Sequence, residues 1–85
     1  MSKLLDMLQT SAMADKAKAL LTLELLETRP AGIGDHSTGD FYKNAEEALS
    51  MLVDADDRLA SLDRYFVKPR QAAAEREASK QQING

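Results

Sequence analysis

Between Phe41 and Phe66 the apolar residues Phe41, Ala45, Ala48, Leu52, Ala55, Leu59, Leu62 and Phe66 alternate spacings of four and three. That is the 3.5-residue period of a helix laying one narrow apolar seam against a partner helix. Such a seam points to interaction between helices and carries no chemistry of its own. Ala45, Ala48 and Ala55 permit a close approach, while Leu52, Leu59, Leu62 and the terminal Phe pair supply bulk. Tyr42, Leu49 and Val53 extend the apolar surface on one side, and Met51 and Tyr65 on the other. This is more apolar surface than a two-stranded coiled coil needs, and it favours a bundle. Asp54 and Arg58 form an i, i+4 pair expected on the outward side of the helix.

The first helix is expected from Ser2 to Thr28, a stretch without Gly or Pro, rich in Ala and Leu, with Ser2 as N-cap. Leu5, Leu8, Ala12, Ala19, Leu23 and Leu26 fall within one arc of that helix, and Met7, Ala14, Leu21 and Leu25 form a second stripe roughly opposite. One partner helix cannot cover both. A lone two-helix hairpin leaves Leu21 and Leu25 in water and forfeits up to about 1.5 to 3 kcal/mol for each large side chain. A chain of 85 residues with no cysteine has neither disulfides nor thiolate metal sites to reinforce a small core, so a partner subunit is the remaining support. The predicted arrangement is a homodimer of hairpins forming a four-helix bundle. Its interface is expected at Leu21, Leu25 and the seam residues from Phe41 to Phe66.

Arg29 to Thr38 breaks the helical pattern. Pro30 cannot continue a helix, and Gly32 and Gly34 supply the backbone freedom of a reversal, with Ile33 as a plug over the bundle end. The second helix is expected to begin at Ser37 or Thr38, with Asp40 in a variant of the capping box. The connection is slightly long for antiparallel neighbours, which makes it a place to look for a site. Gly32-Ile33-Gly34 is no dinucleotide fingerprint, because it follows a helix and lacks a third spaced glycine. Asp35-His36-Ser37 places triad residue types side by side, where they do not converge on one reacting atom. A phosphate or carboxylate could still sit on Gly32, Gly34, His36, Ser37 and Thr38 at the helix start; otherwise His36 packs beside the cap.

Glu24-Leu25-Leu26-Glu27 and Asp54-Ala55-Asp56-Asp57 are loosely similar to the metal-binding carboxylates of all-alpha nucleoside-triphosphate pyrophosphatases. Asp54, however, lies about 120 degrees from the centre of the seam, and Asp57 lies on nearly the opposite face. Outward carboxylates read as a solvated surface, so no catalytic residue, metal or cofactor is expected, and the chain reads as a non-enzyme.

After Phe66 the character changes. Pro69 is expected to end or kink the second helix and to open a short third one, Arg70 to Gln81, that lacks an apolar face apart from alanines. This divides the chain into a hairpin, residues 1–66, and a basic tail or frayed helix, residues 67–85. The net charge is −3. Residues 30–66 carry three basic side chains against eight carboxylates, net −5, whereas residues 67–85 carry four against two, net +2. The acidic balance argues against a dedicated nucleic-acid binder. No apolar run is long enough to span a membrane or to serve as a signal peptide, so a cytoplasmic location is expected.

Pro30-Ala31-Gly32-Ile33-Gly34-Asp35-His36-Ser37-Thr38, then Asn44-Ala45-Glu46-Glu47-Ala48-Leu49 and Asp54-Ala55-Asp56-Asp57-Arg58-Leu59, resemble small uncharacterised proteins of T4-like tailed phages. The resemblance implies an accessory phage protein made in an infected bacterium, and it brings no activity, cofactor or site residue. The sequence therefore predicts an all-α helical hairpin of two long helices with a short or frayed C-terminal helix. It is expected to associate with itself and to bind another protein.

Overall fold

The computed structural model of the chain describes residues 2–28 and 38–84. Helix α1 spans Lys3–Thr28 and helix α2 spans Thr38–Leu62; a π-helical segment, Asp63–Val67, joins α2 to helix α3, Lys68–Asn84. The described residues contain no strand. Helix α1 starts where the sequence places its cap. The Leu5 amide donates to Ser2 Oγ at 3.1 Å, and the Asp6 amide donates to the Ser2 carbonyl at 3.0 Å. The first bond satisfies one of the amides that a helix start leaves without partners, and the second is the first turn's i→i−4 bond.

Helices α1 and α2 pack along each other as an antiparallel hairpin. Leu26 of α1 lies by Asn44 of α2, Asp15 meets Arg58 near the middle, and Leu8 lies by Leu62 and Tyr65. The seam is built on heptads. Leu5, Ala12, Ala19 and Leu26, each seven residues from the next, are the buried residues of α1, and Ala48 and Ala55 are those of α2. Ala12 and Ala55 have no exposed surface at all. Alanines on both sides of the seam let the helices approach closely, and that approach leaves no room between them for bulk. Phe41, Leu52, Leu59 and Leu62 are consequently half-buried on or beside the contact line, and Phe66, expected in the seam, is 45 % exposed.

The buried apolar set among the described residues is therefore two leucines and four alanines. That is little core for a chain of this length.

Helix α2, the π segment and α3 contribute 25, 5 and 17 residues to one continuous rod. At about 1.5 Å per residue the rod is about 70 Å long, and the molecule measures 69 × 22 × 16 Å. The radius of gyration is 19.9 Å, against about 12 Å for a compact domain of this size. Helix α3 overhangs the hairpin, and its contacts are with the π segment.

The interruption expected at Pro69 takes the form of the π segment. Pro69 has no amide hydrogen, and in an α-helix its ring would press on the carbonyl four residues back. Widening the preceding turn relieves that clash. The Lys68 amide bonds the Asp63 carbonyl, five residues back, and Lys68 Nζ reaches Asp63 Oδ2 at 3.3 Å. Leu62 and Lys68 both keep right-handed helical backbone angles, so the rod continues. The third helix accordingly begins two residues before the expected Arg70 and extends three beyond Gln81.

Candidate interaction surface

Two grooves flank the alanine seam, and they differ in chemistry. Along the first run Ser11, Asp15 and Thr22 of α1 with Asn44, Asp54, Arg58 and Ser61 of α2. Arg58 Nη2 donates to Asp15 Oδ2 at 2.7 Å across the helices, and Arg58 Nε lies 2.9 Å from Asp54 Oδ2. The Asp54–Arg58 pair is thus present, with Asp54 exposed and Arg58 also reaching across the hairpin to Asp15. The hydrogen bond to Asp15 raises the Arg58 pKa above its ordinary value; partial desolvation opposes this and the Asp54 charge adds to it. A raised pKa in the folded state stabilises the fold at every pH below the ordinary arginine value, and the effect fades only as pH rises through the raised one. At the open end this groove widens into a cleft of about 340 Å³ between Leu8, Leu62, Tyr65 and Phe66.

The second groove is apolar. Lys16 Nζ of α1 meets Asp56 Oδ1 of α2 at 2.9 Å, which fixes the strips that border it. On α1, Met13 and Leu20 lie one turn to either side of Lys16, and Ala17, Leu20 and Leu59 line a hollow beside them. On α2, Leu49 lies seven residues from Asp56 on the same strip, with Val53 and Leu52 next to it. Met13, Leu20, Leu49 and Val53 are 47 to 57 % exposed, large and apolar, with the neutralised Lys16–Asp56 pair in their midst. A two-helix face of this composition is what one hairpin presents to another in a four-helix bundle.

The residues expected at the interface are distributed unevenly. Ala45, Ala48, Leu52, Ala55, Leu59 and Leu62 lie on or beside the α1–α2 contact, so the alanines are consumed within the hairpin. Leu21 and Leu25 are exposed and lie about 80 to 140 degrees around α1 from Met13 and Leu20. Helix α1 is in fact apolar around most of its circumference, a pattern that belongs to a helix covered on more than one side. Met13, Leu20, Asp15 and Lys16 were not singled out from sequence, because their roles appear only once the register against α2 is set.

Gly32, Gly34, His36 and Ser37, with the Ile33 plug, lie outside the described residues; Thr38 opens α2. Asp54 and Asp56 are engaged in ion pairs with Arg58 and Lys16, and Glu24 and Glu27 lie at the loop end of α1, away from them. Among the described residues no group of three or more His, Asp or Glu side chains is placed to hold a metal ion, and no helix is long and apolar enough to cross a membrane. No protein-family model matches the chain, and no curated protein or solved structure matches it significantly.

Proposed function

We propose that the protein is a self-associating helical interaction module, a dimer of hairpins closed through the apolar groove. The observation that carries this reading is the exposed face formed by Met13, Leu20, Leu49 and Val53, set against a buried core of two leucines and four alanines. A single hairpin leaves most of its large apolar side chains in water, and a second copy on this face covers Met13, Leu20, Leu49 and Val53 among them. From Tyr42 to Leu59 the groove is about 26 Å long, and two packed helices are about 20 Å wide, so each copy offers roughly 500 Å², a small contact. A specific interface covers about 800 Å² per partner.

Nothing catalytic is part of this reading. The sequence likeness to tailed-phage proteins supports an accessory or assembly factor, cytoplasmic in an infected bacterium, with α3 and the loop left for a further protein partner. The test is the solution mass across a dilution series by multi-angle light scattering. Twice the chain mass of 9.3 kDa is expected. A folded monomer at every concentration overturns the proposal.

A further inference from the structure

Helix α1 carries a second heptad pattern behind the one it turns to α2. Leu4, Met7, Ala14, Leu21 and Leu25 fall on an alternating three-four spacing whose two remaining places hold Ser11 and Lys18. That is the period of a seam that meets another helix. Every side chain on it is exposed, and the large apolar ones stand at its two ends. The seam lies about 100 to 160 degrees around α1 from the Leu5–Leu26 line, on the opposite side of that line from Met13 and Leu20. A hairpin can therefore use this seam and the apolar groove at once. We infer that the seam docks on the same seam of another copy, the two α1 helices running antiparallel, and so joins proposed dimers into assemblies of four chains or more. This rests on the proposed dimer and adds a second contact to it.

Area, charge and the middle of the seam choose that occupant. The groove contact falls short of the about 800 Å² per partner of a specific interface. The seam is about 32 Å long and one helix, about 10 Å, wide, which brings the surface covered on each hairpin to roughly 800 Å². On one border of the seam Lys3 and Glu24 are the charged side chains, one at each end and both exposed. A two-fold axis at the level of Ala14 maps the seam onto itself and carries Lys3 of each copy to the level of Glu24 of the other, on the same side of the helix pair. Asp15, the charge on the other border, is held by Arg58 of its own chain. Asp6 and Glu27 stand further round, on the strip of Met13 and Leu20 and away from this contact. In the middle, the small Ala14 lies near the axis and permits a close approach, and Lys18 of each copy comes to the level of Thr10 and Ser11 of the other. Parallel copies would instead set Lys18 against Lys18, Lys3 against Lys3 and Glu24 against Glu24. The seam is the smaller of the two contacts, so it forms at concentrations above those at which the dimer is complete.

The test is the mass of the full chain by sedimentation equilibrium over a wide range of concentration. The wild type should pass from two chains to four or more, and Met7→Glu with Leu21→Glu, both at exposed positions, should stop at two. Leu20→Glu with Leu49→Glu removes the groove contact and should leave, at high concentration, pairs joined by the seam alone. A wild-type mass that stays at two chains, or a Met7/Leu21 variant that still reaches four, overturns the inference and leaves the groove dimer standing. A Leu20/Leu49 variant that still reaches four overturns the groove dimer itself. Because the chain has no cysteine, orientation is read by mixing Lys3→Cys with Glu24→Cys under mild oxidation. Mixed disulfides should exceed either homodisulfide, and a predominance of homodisulfides overturns the antiparallel pairing.

Discussion

The two grooves beside the alanine seam are built from the same two helices and are bordered by different residues. The groove with Asp15, Arg58 and Asp54 has a charged middle that joins α1 to α2 within one chain and apolar residues toward its ends, Leu8, Tyr65 and Phe66 at one and Met51 at the other, whereas the groove with Met13, Leu20, Leu49 and Val53 is apolar and has one ion pair at its centre. An apolar flank of this size has no reason to stay exposed in a protein that acts alone. The difference teaches that the character of each flank is set by which residues border the seam, not by the seam itself, and it is the reason the proposed contact is placed on the second flank.

The largest effect should come from the apolar side. Leu20→Glu combined with Leu49→Glu places two charges in the proposed contact, and at about 1.5 to 3 kcal/mol for each lost leucine the dimer should weaken by two orders of magnitude or more. Both side chains are about half exposed in the single hairpin, so helical content measured by circular dichroism should survive. Next comes the seam that both grooves share. Ala55→Leu forces bulk into a position with no exposed surface, and overpacking of this kind costs about 1 to 3 kcal/mol. The Tm should fall by roughly 5 to 20 °C, and an unchanged Tm would show that the helices are not held at alanine distance.

Leu21→Glu with Leu25→Glu probes the back of α1. Self-association should weaken, but by no more than about tenfold, as read by sedimentation. If this pair dissolves the dimer and the Leu20/Leu49 pair does not, the assembly side has been placed on the wrong face of α1. On the polar side the effect should be smaller still. Asp15→Asn removes the cross-helix partner of a solvent-accessible arginine and should lower the Tm slightly, with the difference closing in 1 M salt. Smallest for global stability is Pro69→Ala, which restores an amide donor and should slow hydrogen exchange around Asp63–Val67 without altering mass or Tm.

Much of the fold is legible in the sequence because helix formation is local. The absence of Gly and Pro from Ser2 to Thr28, the Ser2 cap, the reversal near Pro30 and the four-three spacing of α2 each act over a few residues. Pro69 was legible as an interruption, though not as a π turn that keeps the rod continuous. The candidate surface was less legible. Leu21 and Leu25 stood out because they oppose the Leu5–Leu26 arc, while Met13 and Leu20 lie at its margin and looked neither buried nor opposite. Asp54, Asp56 and Arg58 read as an outward charged strip, since nothing local says that Asp15 and Lys16 stand across from them.

The sequence by itself determined two long helices, the Ser2 cap of the first and the period of the seam, because backbone hydrogen bonding and side-chain spacing within a helix are set by near neighbours. Only the tertiary structure decided which flank of that seam carries the Asp15–Arg58–Asp54 cluster and which carries the Lys16–Asp56 pair among large apolar residues. That outcome depends on the register of α1 against α2, and a heptad seam repeats itself every seven residues, so the apolar pattern alone permits several registers. Contacts between residues some forty positions apart, Asp15 with Arg58 and Lys16 with Asp56, distinguish the register that forms and thereby bring Met13 and Leu20 beside Leu49 and Val53.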